Sequence, residues 1–126
     1  PAAIEEYLRL FTPYRGFART SKKDVEIGGR TIKKDEPIAV VFSSANRDEA
    51  IFPEPDQFIL NRPNIKKHIA FGFGPHSCPG APLARLMLKI TLEELLQRTN
   101  DIELNGEIKM ARWPEWGAIS VPIKIS

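Results

Sequence analysis

The sequence 71-FGFGPHSCPG-80 is the most informative part of this chain, because it sets Cys78, the only cysteine among 126 residues, in a loop with three glycines and two prolines. A helical pattern, 82-PLARLMLKITLEELLQRTN-100, follows the loop. Glycine allows the backbone to turn its N–H groups toward the sulfur, and the start of a helix carries partial positive charge. Both effects favour a sulfur anion over a thiol.

A thiolate in such a loop can serve as a nucleophile, a metal ligand or the axial ligand of a haem iron. A cysteine hydrolase would pair Cys78 with His76 or His68. This interpretation is weak, because a histidine two residues from the cysteine in a glycine loop cannot easily present its ring to the sulfur. A zinc site from the same three side chains is also weak, since structural zinc sites usually leave two or more residues between paired ligands.

Length and composition indicate a soluble globular domain with one modest core, since 42% of the residues are hydrophobic and 27% are charged. The formal net charge of +2 gives no indication of a nucleic-acid partner. The longest apolar runs, such as residues 38–42, are far too short to span a bilayer, and residues 1–10 show no signal-peptide pattern. We therefore expect no nucleic-acid partner, no membrane and a cytoplasmic location.

The first half of the chain alternates between helical and strand patterns. Apolar residues recur with a helical period over residues 2–11, and Pro13 ends that helix. Residues 25–32 predict a hairpin that turns at Gly28-Gly29. The continuously apolar run 37–42 predicts a strand covered on both faces. Residues 43–67, rich in proline and asparagine, predict an irregular coil pinned by side chains.

The second half of the chain predicts one long helix and a small sheet. The helix over residues 82–100 should end at Asn100 and bury a broad apolar stripe, which consists of Leu83, Leu86, Met87, Ile90, Leu95 and Leu96. Residues 102–110 and 119–125 are expected to form short strands of a terminal sheet.

The extended pattern F-G-x-G-x-H-x-C-x-G followed by x-x-L-A-R, which is filled from Phe71 to Arg85, resembles the haem-ligand loop of the cytochrome P-450 family. Nine typed positions at fixed spacing are far more specific than a lone C-x-x-C. The resemblance implies a mainly α cytochrome P-450 fold, of which this segment is the α+β part. That part comprises the K helix, a small β-hairpin sheet, an irregular meander, the cysteine-ligand loop, a long L helix and a C-terminal β-hairpin.

The resemblance also implies the roles of individual residues. It assigns Cys78 as the catalytic residue and proximal ligand of the iron in haem b, iron protoporphyrin IX. It implies that His76 and Arg19 contact haem propionates. Phe71 is expected to pack beside the sulfur, limit solvent access and help to set the reduction potential. The remaining residues expected to contact the cofactor are Gly72 and Gly80.

The residues Glu6-Tyr7-Leu8-Arg9 resemble the E-x-x-R motif of the family's K helix. A carboxylate and a guanidinium three residues apart lie on one helical face and can form a fork-like pair, although most such pairs are solvated. Arg62 stands where the family supplies a second arginine. The resemblance therefore implies that Glu6, Arg9 and Arg62 form one buried network that braces the cysteine loop. Arg85 is expected to support that loop or a propionate, and no role follows for His68.

The function implied by the resemblance is that of a haem-thiolate monooxygenase, in which the Cys78 thiolate favours O–O cleavage for hydroxylation of a small organic substrate. The alternative is a non-catalytic haem-binding or sensing module derived from the same fold. The family's dioxygen-activating pattern, A/G-G-x-D/E-T, does not occur in these residues. We therefore expect residues 1–126 to be the C-terminal, haem-ligating part of a single larger domain, inactive without the rest of the cytochrome P-450 chain.

An electron donor is a further partner that the resemblance implies. Lys66, Lys67 and Lys89 flank the cysteine loop in the sequence and could dock an acidic ferredoxin or flavodoxin-type donor. Ordinary solvated lysines are an equally good interpretation of the same pattern.

Overall fold

The computed structural model describes residues 2–112 and 115–126. Its α-helices in that part of the chain are α1 (Ala2–Phe11), α2 (Phe42–Ala45) and α3 (Ala81–Arg98), and single 3-10 turns span Ile65–Lys67 and Gly74–His76. The strands are short and are named in chain order β1 (Gly16–Thr20), β2 (Val25–Ile27), β3 (Arg30–Ile32), β4 (Pro37–Val41), β5 (Ile102–Leu104), β6 (Lys109–Met110), β7 (Ala118–Ser120) and β8 (Ile123–Ile125).

The strands form antiparallel pairs. β1 pairs with β4, in a register that runs from Gly16 opposite Val41 to Thr20 opposite Pro37. β2 and β3 form the predicted hairpin, whose turn residues Gly28 and Gly29 both have positive φ, at 57° and 75°. Two successive residues with positive φ define the tight turn that favours glycine, so this prediction is confirmed.

The prediction that residues 37–42 form a strand covered on both faces is wrong. Val40 and Val41 are 37% and 45% exposed, and Phe42 is the first residue of α2 rather than the end of the strand. The reason is that β4 has only β1 as a sheet neighbour in the described residues. One of its faces is left to line a cleft with the cysteine loop.

The prediction that α3 buries its apolar stripe is also wrong. Leu83 and Met87 are 61% and 60% exposed, and Leu86, Ile90 and Leu96 are exposed too. The side of α3 that faces α1 carries a different group of side chains, Leu88, Thr91 and Leu92, which line a pocket together with Ile4 and Tyr7 of α1. At 100° per residue, Leu88 and Leu92 lie on the side of α3 opposite most of the predicted stripe. Apolar residues occupy both sides of this helix, and α1 covers one of them.

The end of α3 differs from the prediction by two residues. The helix ends at Arg98, and Thr99 has extended backbone angles of φ −129° and ψ 141°. The Thr99 hydroxyl donates a hydrogen bond to the carbonyl of Leu95 at 2.8 Å. Because that hydroxyl satisfies a carbonyl of the last turn, Thr99 and not the predicted Asn100 is the end cap.

The terminal strands form two small ladders and not one sheet. β5 pairs with β8, and β6 pairs with β7 through an irregular register at Lys109 and Met110. The buried apolar core is small and gathers around α1, with the residues Ile4, Leu8, Leu10, Phe42, Phe52 and Ala81. Among the described residues, no helix combines the length and the apolar character needed to cross a membrane.

Candidate functional site

A largely apolar cleft of about 680 Å³ lies between the β1–β4 pair and the cysteine loop. Aromatic side chains provide much of its wall, namely those of Tyr14, Phe17, Phe42, Phe71 and Phe73. The structure brings five of the predicted cofactor-binding residues to this cleft, which are Arg19, Phe71, Gly72, His76 and Cys78. The sixth, Gly80, does not line it.

Backbone hydrogen bonds shape the cysteine loop. Gly72 and Gly74 both adopt a φ of 75°, a conformation that side chains oppose. The Cys78 N–H donates to the carbonyl of Phe71 at 2.8 Å, and the Ser77 N–H donates to Gly74 at 3.0 Å. Among the described residues, none of the loop's backbone hydrogen bonds ends on the sulfur of Cys78, contrary to the expectation from the sequence. The thiol is exposed and free.

Gly80 stands at the start of α3 and does not need to be glycine on steric grounds. Its φ is −81°, and a Cβ added there would lie 3.7 Å from the Cys78 sulfur, which is ordinary van der Waals contact. The sulfur therefore lies next to the amino end of α3. The Ala81 N–H donates to the Cys78 carbonyl at 3.3 Å and ties the helix start to the cysteine.

Two nitrogen-bearing side chains at the cleft remain available to a ligand. The Arg19 guanidinium donates to the neighbouring carbonyl of Ala18 at 2.9 Å and lies 5.9 Å from the ring centroid of Phe17. In the described part of the chain, neither Arg19 nor the exposed His76 pairs with a carboxylate. A soft sulfur donor, an apolar cleft and two groups suited to carboxylates together match the chemistry of a haem, so the residues fit this cofactor.

Glu6, Arg9 and Arg62 lie together and are 0%, 0% and 4% exposed, so they do not form the solvated surface pair that was the alternative. Arg9 donates to both oxygens of Glu6, from Nη2 to Oε1 at 2.8 Å and from Nε to Oε2 at 2.9 Å. Arg62 Nε donates to the same two oxygens at 3.0 and 3.3 Å, and the Ile59 N–H adds a further bond at 3.0 Å. Burial raises the pKa of Glu6, but the hydrogen bonds from Arg9, Ile59 and Arg62 lower it by more.

The remaining donors of the two arginines bind the irregular coil. Arg9 donates to the carbonyls of Asn46, Pro55 and Gln57. Arg62 donates to those of Pro53, Glu54 and Gln57. Because carbonyls in a coil lack ladder partners, these charged donors replace the hydrogen bonds that a regular element would supply. The expected coil pinned by side chains is confirmed between α2 and the first 3-10 turn, whereas the two ends of the predicted stretch 43–67 belong to those elements.

Asn46 connects this network to the cysteine loop, a role that the sequence did not predict. Its side chain is fully buried, and its Oδ1 accepts the Ile69 N–H at 2.8 Å, two residues before Phe71. Its Nδ2 donates to the Thr12 hydroxyl at 2.8 Å, at the end of α1. The only signal in the sequence was its place in 44-SANRD-48, next to the predicted meander.

Replacing Asn46 with alanine should destabilise the protein by about 1–3 kcal/mol, because the half-buried Ile69 N–H and the buried Thr12 hydroxyl would both lose their bonds to the Asn46 side chain. Asn100→Ala is the matched control, since Asn100 is exposed and should change the free energy of unfolding by less than about 0.5 kcal/mol. Urea denaturation followed by circular dichroism measures both. Equal midpoints for the two variants would show that Asn46 does not connect the two elements.

A second polar cluster, formed by Glu5, His68 and Arg85, joins α1, the cysteine loop and α3. Arg85 donates to both Glu5 oxygens at 2.6 and 3.1 Å, and His68 Nε2 lies 2.8 Å from Glu5 Oε2. Burial raises the pKa of Glu5, but hydrogen bonds from Arg85 and His68 lower it by more. The hydrogen bond to Glu5 raises the pKa of Arg85. These contacts favour the first of the two roles expected for Arg85, which is support of the cysteine loop. They also give His68 a specific partner, Glu5.

The three lysines near the loop are not equivalent. Lys66 and Lys67 lie exposed in a 3-10 turn. The Lys89 ammonium lies 3.7 Å from Glu93 on the same helix.

The chain is similar to known proteins in both sequence and structure. The family model described as Cytochrome P450 matches residues 1–120. Cytochrome P450-terp of Pseudomonas sp is 42% identical over 107 residues, which are 84% of this chain and 24% of that protein. Steroid C26-monooxygenase of Mycolicibacterium smegmatis is 43% identical over 104 residues, which are 82% of this chain and 26% of that protein.

The solved structure of ligand-free cytochrome P450 TbtJ1 superposes on this chain with a TM-score of 0.97 at 39% sequence identity. The match covers 100% of this chain and 34% of that one. The chain thus spans about a quarter of the length of the curated relatives named above and about a third of this solved structure.

Proposed function

This chain belongs to the cytochrome P450 family, as its sequence resemblance predicted, and from that premise we propose that it is the C-terminal, haem-ligating part of a larger monooxygenase domain. The family implies a haem iron cofactor, and the α+β segment of a P450 fold is the fold predicted. The observation that carries the proposal is the exposed thiol of Cys78 in an apolar cleft, with Arg19 and His76 at the same cleft.

Cys78 is the proposed proximal ligand of the iron. Its backbone is fixed by the bond to Phe71 and by its place at the start of α3, while its sulfur stays free of protein partners in the described residues. A ligand atom must be held in position by its backbone and remain open on the side of the metal, and Cys78 meets both conditions. When bound, the haem supplies the chemistry of dioxygen activation, to which a thiolate ligand contributes electron density.

The other residues of the cleft are proposed to bind the haem and to shield it from water. Phe71, Phe17 and Phe42 line the cleft with Cys78, and their rings would keep water away from a haem bound there, which strengthens electrostatic interactions. Arg19 and His76 are the proposed partners of the two propionates. Haem b is the proposed form of this cofactor, as the family resemblance implies.

The buried network is proposed to keep the cysteine loop in register. Glu6 holds Arg9 and Arg62, Arg9 binds the carbonyl of Asn46, and Asn46 binds Ile69 at the base of the loop. The four side chains of this series, those of Glu6, Arg9, Arg62 and Asn46, are all buried.

The partners are proposed from the family and from charge. Lys66 and Lys67 are the exposed candidates to dock an acidic ferredoxin or flavodoxin-type electron donor, whereas Lys89 lies beside Glu93. A relative named as a steroid monooxygenase supports a small organic substrate as the class of molecule oxidised. A cytoplasmic location is proposed in keeping with these partners.

The carbonyl spectrum of the reduced full-length protein tests the proposal. A thiolate-ligated haem should give a far red-shifted carbonyl Soret band, and electrons from a ferredoxin or flavodoxin system should yield an oxidised organic product. The absence of the red-shifted band would contradict thiolate ligation. The band without product from any of a panel of small organic substrates would favour the haem-binding or sensing alternative.

A further inference from the structure

Glu5 ties together two residues that lie on opposite sides of Cys78 in the sequence. His68 precedes the cysteine by ten residues and Arg85 follows it by seven, and both contact the Glu5 carboxylate. The first turn of α1 is thereby bound to both ends of the cysteine loop. A two-pronged contact between arginine and carboxylate fixes orientation as well as distance.

His68 connects Glu5 to the segment that leads into the cysteine loop. Its Nε2 faces Glu5, and the Ala70 N–H donates to its Nδ1 at 3.2 Å. The His68 side chain is 2% exposed, and both of its ring nitrogens have partners. Glu5 thus also orients Ala70, the residue directly before Phe71.

Arg85 carries the contact from Glu5 to the wall of the cleft. Its guanidinium carbon lies 4.7 Å from the ring centroid of Phe71, in the geometry of a cation–π contact. The Phe71 carbonyl accepts the Cys78 N–H at 2.8 Å. The series Glu5, Arg85, Phe71 and Cys78 is therefore continuous, and the Glu5–Arg85 pair places one negative and one positive charge at its start.

We propose that the Glu5–Arg85 pair, which lies against Phe71 at the Cys78 loop, sets the local charge that tunes the reduction potential of the iron. This inference rests on the function proposed above. A negative charge near the iron disfavours the uptake of an electron and a positive charge favours it. Removing one partner of the pair should therefore shift the potential in the direction opposite to removing the other.

Redox titration of the full-length, haem-loaded protein tests the inference. Glu5→Gln should shift the midpoint potential to more positive values, and Arg85→Gln should shift it to more negative values. The double variant restores the net charge and should lie close to the unmodified protein. Glu94→Gln is the matched control, because it removes the same charge about 20 Å along α3 from the helix start and should leave the potential unchanged.

Shifts of the two single variants in the same direction would overturn the inference, as would shifts no larger than that of Glu94→Gln. If Arg85→Gln does not retain haem, Arg85→Lys serves instead. It keeps the positive charge but not the two-pronged bond, so the potential should stay near that of the unmodified protein, and a shift as large as that of Glu5→Gln would overturn the inference. An unmodified protein without the red-shifted carbonyl band would contradict the proposed function, whereas that band without opposite shifts would contradict this inference alone.

Discussion

Replacing Arg9 with alanine should destabilise the full-length protein by about 3–5 kcal/mol, because the substitution removes one member of a buried charged set. Arg9 is fully buried and donates to Glu6 and to the carbonyls of Asn46, Pro55 and Gln57. Its loss leaves the carbonyls of Asn46 and Pro55 without this donor, leaves the Gln57 carbonyl to Arg62 alone, and halves the positive charge that faces Glu6. The urea midpoint of unfolding, followed by circular dichroism, measures the effect.

Arg98→Ala is the matched control for this experiment. Arg98 also pairs with a glutamate on its own helix, Glu94, but both side chains are exposed. Such a pair contributes about 0.3–0.5 kcal/mol. If Arg9→Ala and Arg98→Ala shift the midpoint equally, the first pair behaves as a surface ion pair and the network does not brace the protein.

Features that depend on neighbouring residues could be predicted from the sequence. The apolar period of residues 2–11 predicted α1 with its observed ends. The Gly28-Gly29 pair predicted a hairpin turn, because both positions need a positive φ that other residues resist. Of the motif residues expected to contact a haem, Phe71, Gly72, His76 and Cys78 line one cleft and Gly80 does not, and their contact with a haem stays a prediction.

Features that depend on distant partners could not be predicted. Glu5 and Arg85 are 80 residues apart, and Asn46 and Ile69 are 23 apart, so no local pattern connects them. The side of α3 that faces α1 also depends on a partner distant in the sequence. Leucines on both sides of that helix satisfy a hydrophobic pattern equally well, and only the position of α1 shows that the side with Leu88 and Leu92 faces Ile4 and Tyr7 across a shared pocket.

Replacing Cys78 with serine should abolish the far red-shifted carbonyl Soret band of the reduced full-length protein and reduce product formation to background. The two side chains are nearly the same size, and the Cys78 N–H bond to Phe71 involves the backbone, so the loop should keep its shape. A neutral hydroxyl lacks the soft, electron-donating sulfur that a thiolate ligand provides. The change therefore tests the ligand atom and not the fold.

Ser77→Ala separates the ligand from its surroundings. Ser77 is the exposed neighbour of Cys78, and its backbone N–H bond to Gly74 survives the substitution. This variant should keep the carbonyl band at its original position, with the haem content of the unmodified protein. A red-shifted band that persists in Cys78→Ser would mean that a residue other than the one cysteine of this chain ligates the iron. Loss of the band in both variants would mean that the spectrum reports the integrity of the loop and not the identity of the ligand.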